Sequence, residues 1–266
     1  MEAEWVISQC NKAFYRPAEG KLVDSWGFIS RPTHVLVILA IYLLTVFKGP
    51  KIMATRKPFE LQRPIMVYNL FQIIMNGYMI SCYFRLLGGQ SLRLWENICC
   101  PVSAAQGFRP YASLEFLQVG KVYYINKIID LADTCFFILR KKKSQVTFLH
   151  VYHHISMILC TYVSLMILRD ELNMVFIAIN SAVHMIMYAY YFLAALGPSV
   201  QKYLWWKKYI TTIQICQFLI ALSMLLLSTF QGCPTERGFV FMWFTNIFVI
   251  LLMFVKFYIK SYRKNV

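Results

Sequence analysis

Seven runs of roughly twenty apolar residues divide this chain, at about 29–47, 64–84, 114–139, 146–168, 172–196, 209–230 and 238–259. A bilayer's hydrocarbon core is about 30 Å thick, and a helix needs roughly 20 apolar residues to cross it. The pattern therefore predicts an all-α polytopic membrane protein with seven transmembrane helices. Composition agrees: 59% of the residues are apolar and only 15% are charged, against about a quarter charged in soluble domains. Such a chain cannot cover itself with a polar surface, so membrane lipid is its expected surroundings. It reads as one domain over 1–266, with an outer N-terminal segment of about 1–28 and a tail of about 260–266. The first 30 residues hold no continuous apolar core, so no cleavable signal peptide is expected and the first helix acts as its own insertion signal.

The net charge of +15 would suit a nucleic-acid partner if it were gathered on a soluble face. It is spread over short loops instead. The loops after the first, third and fifth runs, with the tail, carry 15 basic residues against one acid, Glu60; the opposite loops and the N-terminal segment carry nine of each sign. The positive-inside rule then predicts a cytosolic C-terminus and a lumenal N-terminus, which an odd number of spans satisfies. No nucleic-acid partner is needed. Cys99 and Cys100 in the second loop and Cys233 in the sixth share the expected lumenal side, where thiols oxidise. A disulfide from Cys99 or Cys100 to Cys233 is expected. Cys135, Cys160 and Cys216 fall within helices as small packing groups. The last residues, Arg263, Lys264, Asn265 and Val266, read either as a dilysine-type endoplasmic reticulum retrieval signal or as a plain basic tail.

Ionisable groups at membrane depth are costly and mark function by default. Here they gather in the third to sixth runs. The third holds Lys127, Asp130 and Asp133 at three-residue spacing, with Thr134 next; the fourth holds His150, His153 and His154. The fifth holds Asn180, His184, Tyr188 and Tyr191, and the sixth Thr211, Gln214 and Gln217. Each set shares one helical face. Counted from the predicted ends, all four sets lie at similar depth, toward the cytosol. One buried polar pocket is expected. Plainer readings stand beside it: Lys127 with the aspartates as a structural charge network, the glutamines as interhelical bridges and the tyrosines as packing. Three histidines at one depth are the hardest to read as structural.

Membrane di-iron sites also use histidine boxes, but they need about eight histidines, and this chain has five: His34, His150, His153, His154 and His184. His34 lies at the other end of its helix. A mononuclear zinc site is arithmetically open, yet three histidines crowded on one helix are a poor tetrahedral set; no metal is expected.

The four blocks, 127–134, 150–154, 180–191 and 211–217, resemble in order and spacing the signature blocks of the ELO (ELOVL) fatty acid elongases, and the likeness extends from about Trp26 to the C-terminus. Asp130 stands where that family usually has glutamate, keeping an ionisable group. The resemblance implies a 3-ketoacyl-CoA synthase of the endoplasmic reticulum membrane. Such an enzyme condenses long-chain acyl-CoA with malonyl-CoA to 3-ketoacyl-CoA, CO₂ and CoA, with no cofactor. It implies that helices two to seven form a closed barrel around an acyl tunnel, with helix one outside. It points to His153 as a nucleophile forming an acyl-histidine. His150, His154 and His184 complete the catalytic set. Lys127, Asp130, Asp133, Asn180, Tyr188, Gln214 and Gln217 bind substrate. A homodimer and the reductases and dehydratase of the elongation cycle are the implied partners. Chain length is expected to depend on where helices six and seven close the tunnel. The rival classes are a seven-helix receptor and a proton-coupled transporter, the second able to use the His and Asp groups as a relay.

Overall fold

A computed structural model describes residues 17–88, 99, 112–169, 172–233, 235 and 237–262. Cys100, the first 16 residues and the tail residues 263–266 lie outside these. Every regular element among the described residues is helical: α1 (Pro17–Asp24), α2 (Pro32–Ile52), α3 (Gln62–Leu87), α4 (Ala112–Ile129), α5 (Ala132–Leu139), α6 (Phe148–Tyr162) continued by a π-helical stretch (Val163–Leu168), α7 (Asn173–Ala195), the short α8 (Pro198–Gln201), α9 (Lys207–Phe230) and α10 (Arg237–Tyr262). Among the described residues, six helices are long and apolar enough to cross a membrane: α2, α3, α6 with its π extension, α7, α9 and α10. This is the architecture of a multi-pass membrane protein.

The third apolar run, expected as one helix over about 114–139, is two. Between α4 and α5 the backbone tightens: Leu131 N–H bonds Ile128 O, Asp133 N–H bonds Asp130 O and Thr134 N–H bonds Leu131 O. These three-residue bonds overwind the chain for one turn. The break falls where charge replaces apolar side chains, and α4–α5 is the one of the seven runs not among those six helices.

Local chemistry sets the other boundaries. Pro32 opens α2, where a missing N–H costs nothing. Thr147 caps α6, its hydroxyl accepting from His150 N–H at 3.2 Å. That cap fixes the start of α6 one turn before the histidines. α3 and α7 lie antiparallel: Gln62 at the start of α3 donates to Ala195 O at the end of α7 (2.8 Å), and Tyr68 meets Tyr188 further in. α2 rests on α5 and α6 through Tyr42, whose hydroxyl is 3.1 Å from Thr134 Oγ1. Nearer its start, His34 lies 2.7 Å from Tyr124 OH. Eight residues of helix, about 12 Å, separate His34 from Tyr42. The outer face of α2 presents Leu36, Val37, Ile41, Leu44 and Phe47, all exposed, as a lipid-facing helix does.

At the end of the bundle away from Thr147, Cys99 is joined to Cys233, across 134 residues of chain. Closing so long a loop in the unfolded chain stabilises the fold by about 2–5 kcal/mol. Dithiothreitol is therefore expected to lower the thermal denaturation midpoint of the wild-type protein in detergent, and to leave a Cys99→Ser/Cys233→Ser variant, already at the lower value, unmoved. Equal midpoints for wild type and variant without reductant would show that the bridge adds no stability.

Candidate active site

The site is built where α4–α5, α6, α7 and α9 meet, and each helix brings one part. In the tight turn between α4 and α5, residues three apart stand one above the other rather than drifting round the helix. Asp130 and Asp133 consequently point the same way, and both reach one phenol: Tyr188 OH is 3.0 Å from Asp130 Oδ1 and 2.9 Å from Asp133 Oδ2. With a single proton, Tyr188 donates to one carboxylate at a time. The other oxygen of Asp130 accepts from Lys127 Nζ at 3.0 Å, an ion pair almost wholly buried on both sides. Lys127 also lies 4.9 Å from the Tyr123 ring centre. Tyr123 in turn donates to Asn180 Oδ1 (2.8 Å). His184 Nδ1 is 4.0 Å from Asp130 Oδ2, too long for a hydrogen bond.

The histidine box divides its roles. His150 Nε2 is 2.8 Å from Thr134 Oγ1, which continues the chain to Tyr42. His154 packs against His150, ring centres 4.4 Å apart, and faces Tyr42. His153 turns the other way, with its ring nearly parallel to that of His184 and 6.4 Å from it. Among the three, His153 alone borders the cavity described next. Residues spaced three and four apart share a broad face, but that face is wide enough to be split between two neighbours. No group of three or more His, Cys, Asp or Glu side chains among the described residues is placed to hold a metal ion.

The cavity starts at His153 and runs inside the bundle. It encloses about 730 Å³ free of protein atoms, its opening included. It is narrow. Tyr123, Asn180 and Gln217 border it beside His153. Beyond them the walls are mainly apolar, with Met157, Phe218, Ala221 and Ile250 among them. From His153 to Leu165 the cavity follows α6 for 12 residues, about 18 Å. Its lining comes from α4, α6 with its π extension, α7, α9 and α10; α2 and α3 contribute no lining residue. Gly120 of α4 permits a close approach, because a Cβ there would stand 2.6 Å from Leu165 Cδ1.

Over residues 27–266 the sequence matches the family described as ELO: GNS1/SUR4 family. The chain belongs to the ELO family. Very long chain fatty acid elongase 7 of Rattus norvegicus is 36% identical over 246 residues, 91% of this chain and 85% of that protein. Very long chain fatty acid elongase 5 of Mus musculus is 33% identical over 262 residues, covering 97% and 84%. Very long chain fatty acid elongase 4 of Homo sapiens is 33% identical over 244 residues, covering 92% and 76%. The match to the ELO family takes in α2 to α10 and leaves α1 outside.

Within this ELO chain the structure brings together Lys127, Asp130, Asp133, His150, His153, His154, Asn180, His184, Tyr188 and Gln217. Gln214 stands apart: its amide contacts Met187 Sδ at 3.7 Å, and it does not line the cavity. Gln217, three residues on, faces the cavity. Sequence reasoning missed Tyr42, Tyr68 and Tyr123. Tyr123 precedes Lys127 by one turn and Asp130 by two, so the charged stripe continued backward was its signal. Tyr68 had none, for it enters the site from α3, a helix with no ionisable side chain at that level.

Proposed function

We propose that this ELO-family chain is a fatty acid elongase of the condensing kind, a very-long-chain 3-ketoacyl-CoA synthase. The observation that carries the reading is that His153 stands at the head of a narrow, mainly apolar cavity with a buried polar cluster behind it. Apolar walls suit an acyl chain for the reason that lipid does. A dry, polar end suits a thioester whose carbonyl oxygen gains charge during reaction.

A balanced sequence follows from these residues. A ring nitrogen of His153 attacks the acyl-CoA carbonyl carbon; the acyl–nitrogen bond forms and the carbon–sulfur bond breaks. The CoA thiolate leaves and takes up a proton from water, while the acylated ring keeps its own N–H as an acyl-imidazolium. Malonyl-CoA then loses CO₂, and the electron pair of the broken carbon–carbon bond stays on its methylene carbon. That carbon attacks the acyl-imidazole carbonyl, the acyl–nitrogen bond breaks, and 3-ketoacyl-CoA leaves a free imidazole. Asn180, positioned by Tyr123, and His184 serve the malonyl unit and the developing oxyanion. His150 and His154, held through Thr134 and Tyr42, keep His153 in place. Lys127, buried against Asp130, adds positive charge to the polar cluster behind the site, and the basic loops favour the anionic groups of CoA. The reaction asks for no cofactor or metal.

In this reading α4–α5 is the third of seven spans. Its charges are tolerated because they pair with one another and with α7 inside the bundle. The basic loops set the tail cytosolic and the disulfide lumenal, in the endoplasmic reticulum membrane. The barrel of helices two to seven has α4–α5 to α10 as its inner wall, α3 backing α7, and α2 outside. A second copy of the chain, and the reductases and dehydratase of the cycle, are its partners.

The test is CO₂ release from carboxyl-labelled malonyl-CoA by purified protein in detergent, across a panel of acyl-CoAs. Release that depends on the acyl-CoA, with a limit in chain length, is expected. Folded protein that releases none with any acyl-CoA would sink the reading in favour of a proton-coupled transporter.

A further inference from the structure

An acyl tunnel needs apolar walls only, yet part-way along this one the walls turn polar. Thr161, Ser164 and Asn173 all border the cavity, and each is more than nine-tenths buried. Thr161 Oγ1 has no hydrogen-bond partner among the described residues. Ser164 stands in the π-helical stretch, a rare geometry that recurs at functional sites, and its Oγ accepts from Trp243 Nε1 at 2.7 Å. α10 runs back along α6, since its lining residues continue from Trp243 to Ile250 while those of α6 recede from Ser164 to His153. Asn246, one turn beyond Trp243, therefore comes level with Thr161, one turn before Ser164. Both amide atoms of Asn246 are buried and unpartnered.

Unpaired polar groups in a membrane-buried interior are costly. A plain methylene chain passing this level would leave them so. A hydroxyl on the chain would relieve Thr161, because it both donates and accepts, as does the Thr161 hydroxyl; Asn246 does not itself border the cavity and acts through Thr161. Rotation of Thr161 about its Cα–Cβ bond exchanges hydroxyl and methyl, so the hydroxyl can turn toward the cavity.

Its distance from the reacting atom follows from helix geometry. Thr161 lies eight residues and Ser164 eleven residues beyond His153, or about 12 and 16 Å along α6. An extended chain of single bonds advances about 1.2 Å per bond, judging from the reach of extended backbone. The polar level thus falls about ten to fourteen carbons from a thioester held at His153. We propose that Thr161, Ser164 and Asn173, backed by Asn246, form a subsite for a mid-chain hydroxyl, so that hydroxyacyl thioesters oxygenated at that depth are preferred occupants of the cavity.

The inference rests on the acyl-CoA reading above, and binding without turnover separates the two. Stearoyl-CoA, 2-hydroxystearoyl-CoA and 12-hydroxystearoyl-CoA would each compete against a fluorescent acyl-CoA on the full chain in detergent. The 12-hydroxy thioester is expected to bind about tenfold more tightly than stearoyl-CoA, the worth of one good buried hydrogen bond. The 2-hydroxy thioester should gain nothing, its hydroxyl lying at the histidines. Thr161→Val and Asn246→Leu should each bring the ratio of stearoyl to 12-hydroxystearoyl affinity to within about twofold. Equal binding of stearoyl and 12-hydroxystearoyl thioesters by the wild type would overturn the subsite and leave the acyl reading standing, as would a preference that survives in both variants. Binding of none of the three would overturn the acyl reading and the subsite together.

Discussion

His153→Ala is expected to abolish acyl-dependent CO₂ release, by about 10³-fold or more, while leaving the protein folded. The size follows from the role: removing a nucleophile costs the whole covalent route and leaves only what binding and polar surroundings supply. Sparing of the fold follows from position. His153 borders a cavity and, among the described residues, makes no hydrogen bond from its ring to another helix, whereas His150 is tied to Thr134 at 2.8 Å. His150→Ala is accordingly expected to lower both activity and thermal stability, and His153→Ala activity alone. A discriminating readout is trapping. Wild type incubated with radiolabelled acyl-CoA and no malonyl-CoA should carry label on a peptide containing His153, and the variant should carry none. Full condensation by His153→Ala would remove the covalent route.

The second large effect is on stability. Lys127→Met is expected to destabilise by about 3–5 kcal/mol, because it leaves the Asp130 carboxylate buried without its cation. In a chain of this size that is a fall of roughly 6–20 °C in denaturation midpoint. Methionine is unbranched and only one atom shorter, so the loss reports charge more than volume. The double variant Lys127→Met/Asp130→Asn should recover most of the midpoint, since the uncompensated charge has gone; Tyr188 can still donate to the amide oxygen. Fluorescence-detected melting of the three proteins in one detergent gives the cycle. A single variant as stable as wild type would show that the buried pair adds nothing to the fold's stability.

The sequence made the bundle legible where the physical signal is long. Apolar runs at about 172–196 and 209–230 became Asn173–Ala195 and Lys207–Phe230, because some twenty mainly apolar residues have one common solution in lipid. The break at Asp130 was not legible. It depends on three-residue backbone bonds, which carry no residue-type signature. The charged stripe of α4–α5 and the histidine stripe of α6 were readable from spacing alone. What spacing left open was which neighbour each side chain meets. His150 and His153 share a face and meet different helices; Gln214 and Gln217 do likewise, and only Gln217 reaches the cavity. Tyr68 and Tyr123 were hidden for a related reason. In a chain with 17 tyrosines, a phenol in an apolar helix is ordinarily taken for packing or for the membrane interface, and only the partner helix reveals its use.

The pairing of α4–α5 with α7 also constrains how the chain is made. Tyr188, which serves both Asp130 and Asp133, comes 58 and 55 residues later in the sequence. A ribosome adds about 5–20 residues per second, so both carboxylates emerge roughly 3–12 s before their phenol exists. Lys127 is at hand from the start, but Asp133 has no such neighbour. During that interval the segment is the poorest candidate in the chain for lipid, and it gains a settled place only when α7 arrives. The order of synthesis therefore leaves the Asp133 carboxylate without its phenol until α7 has been made.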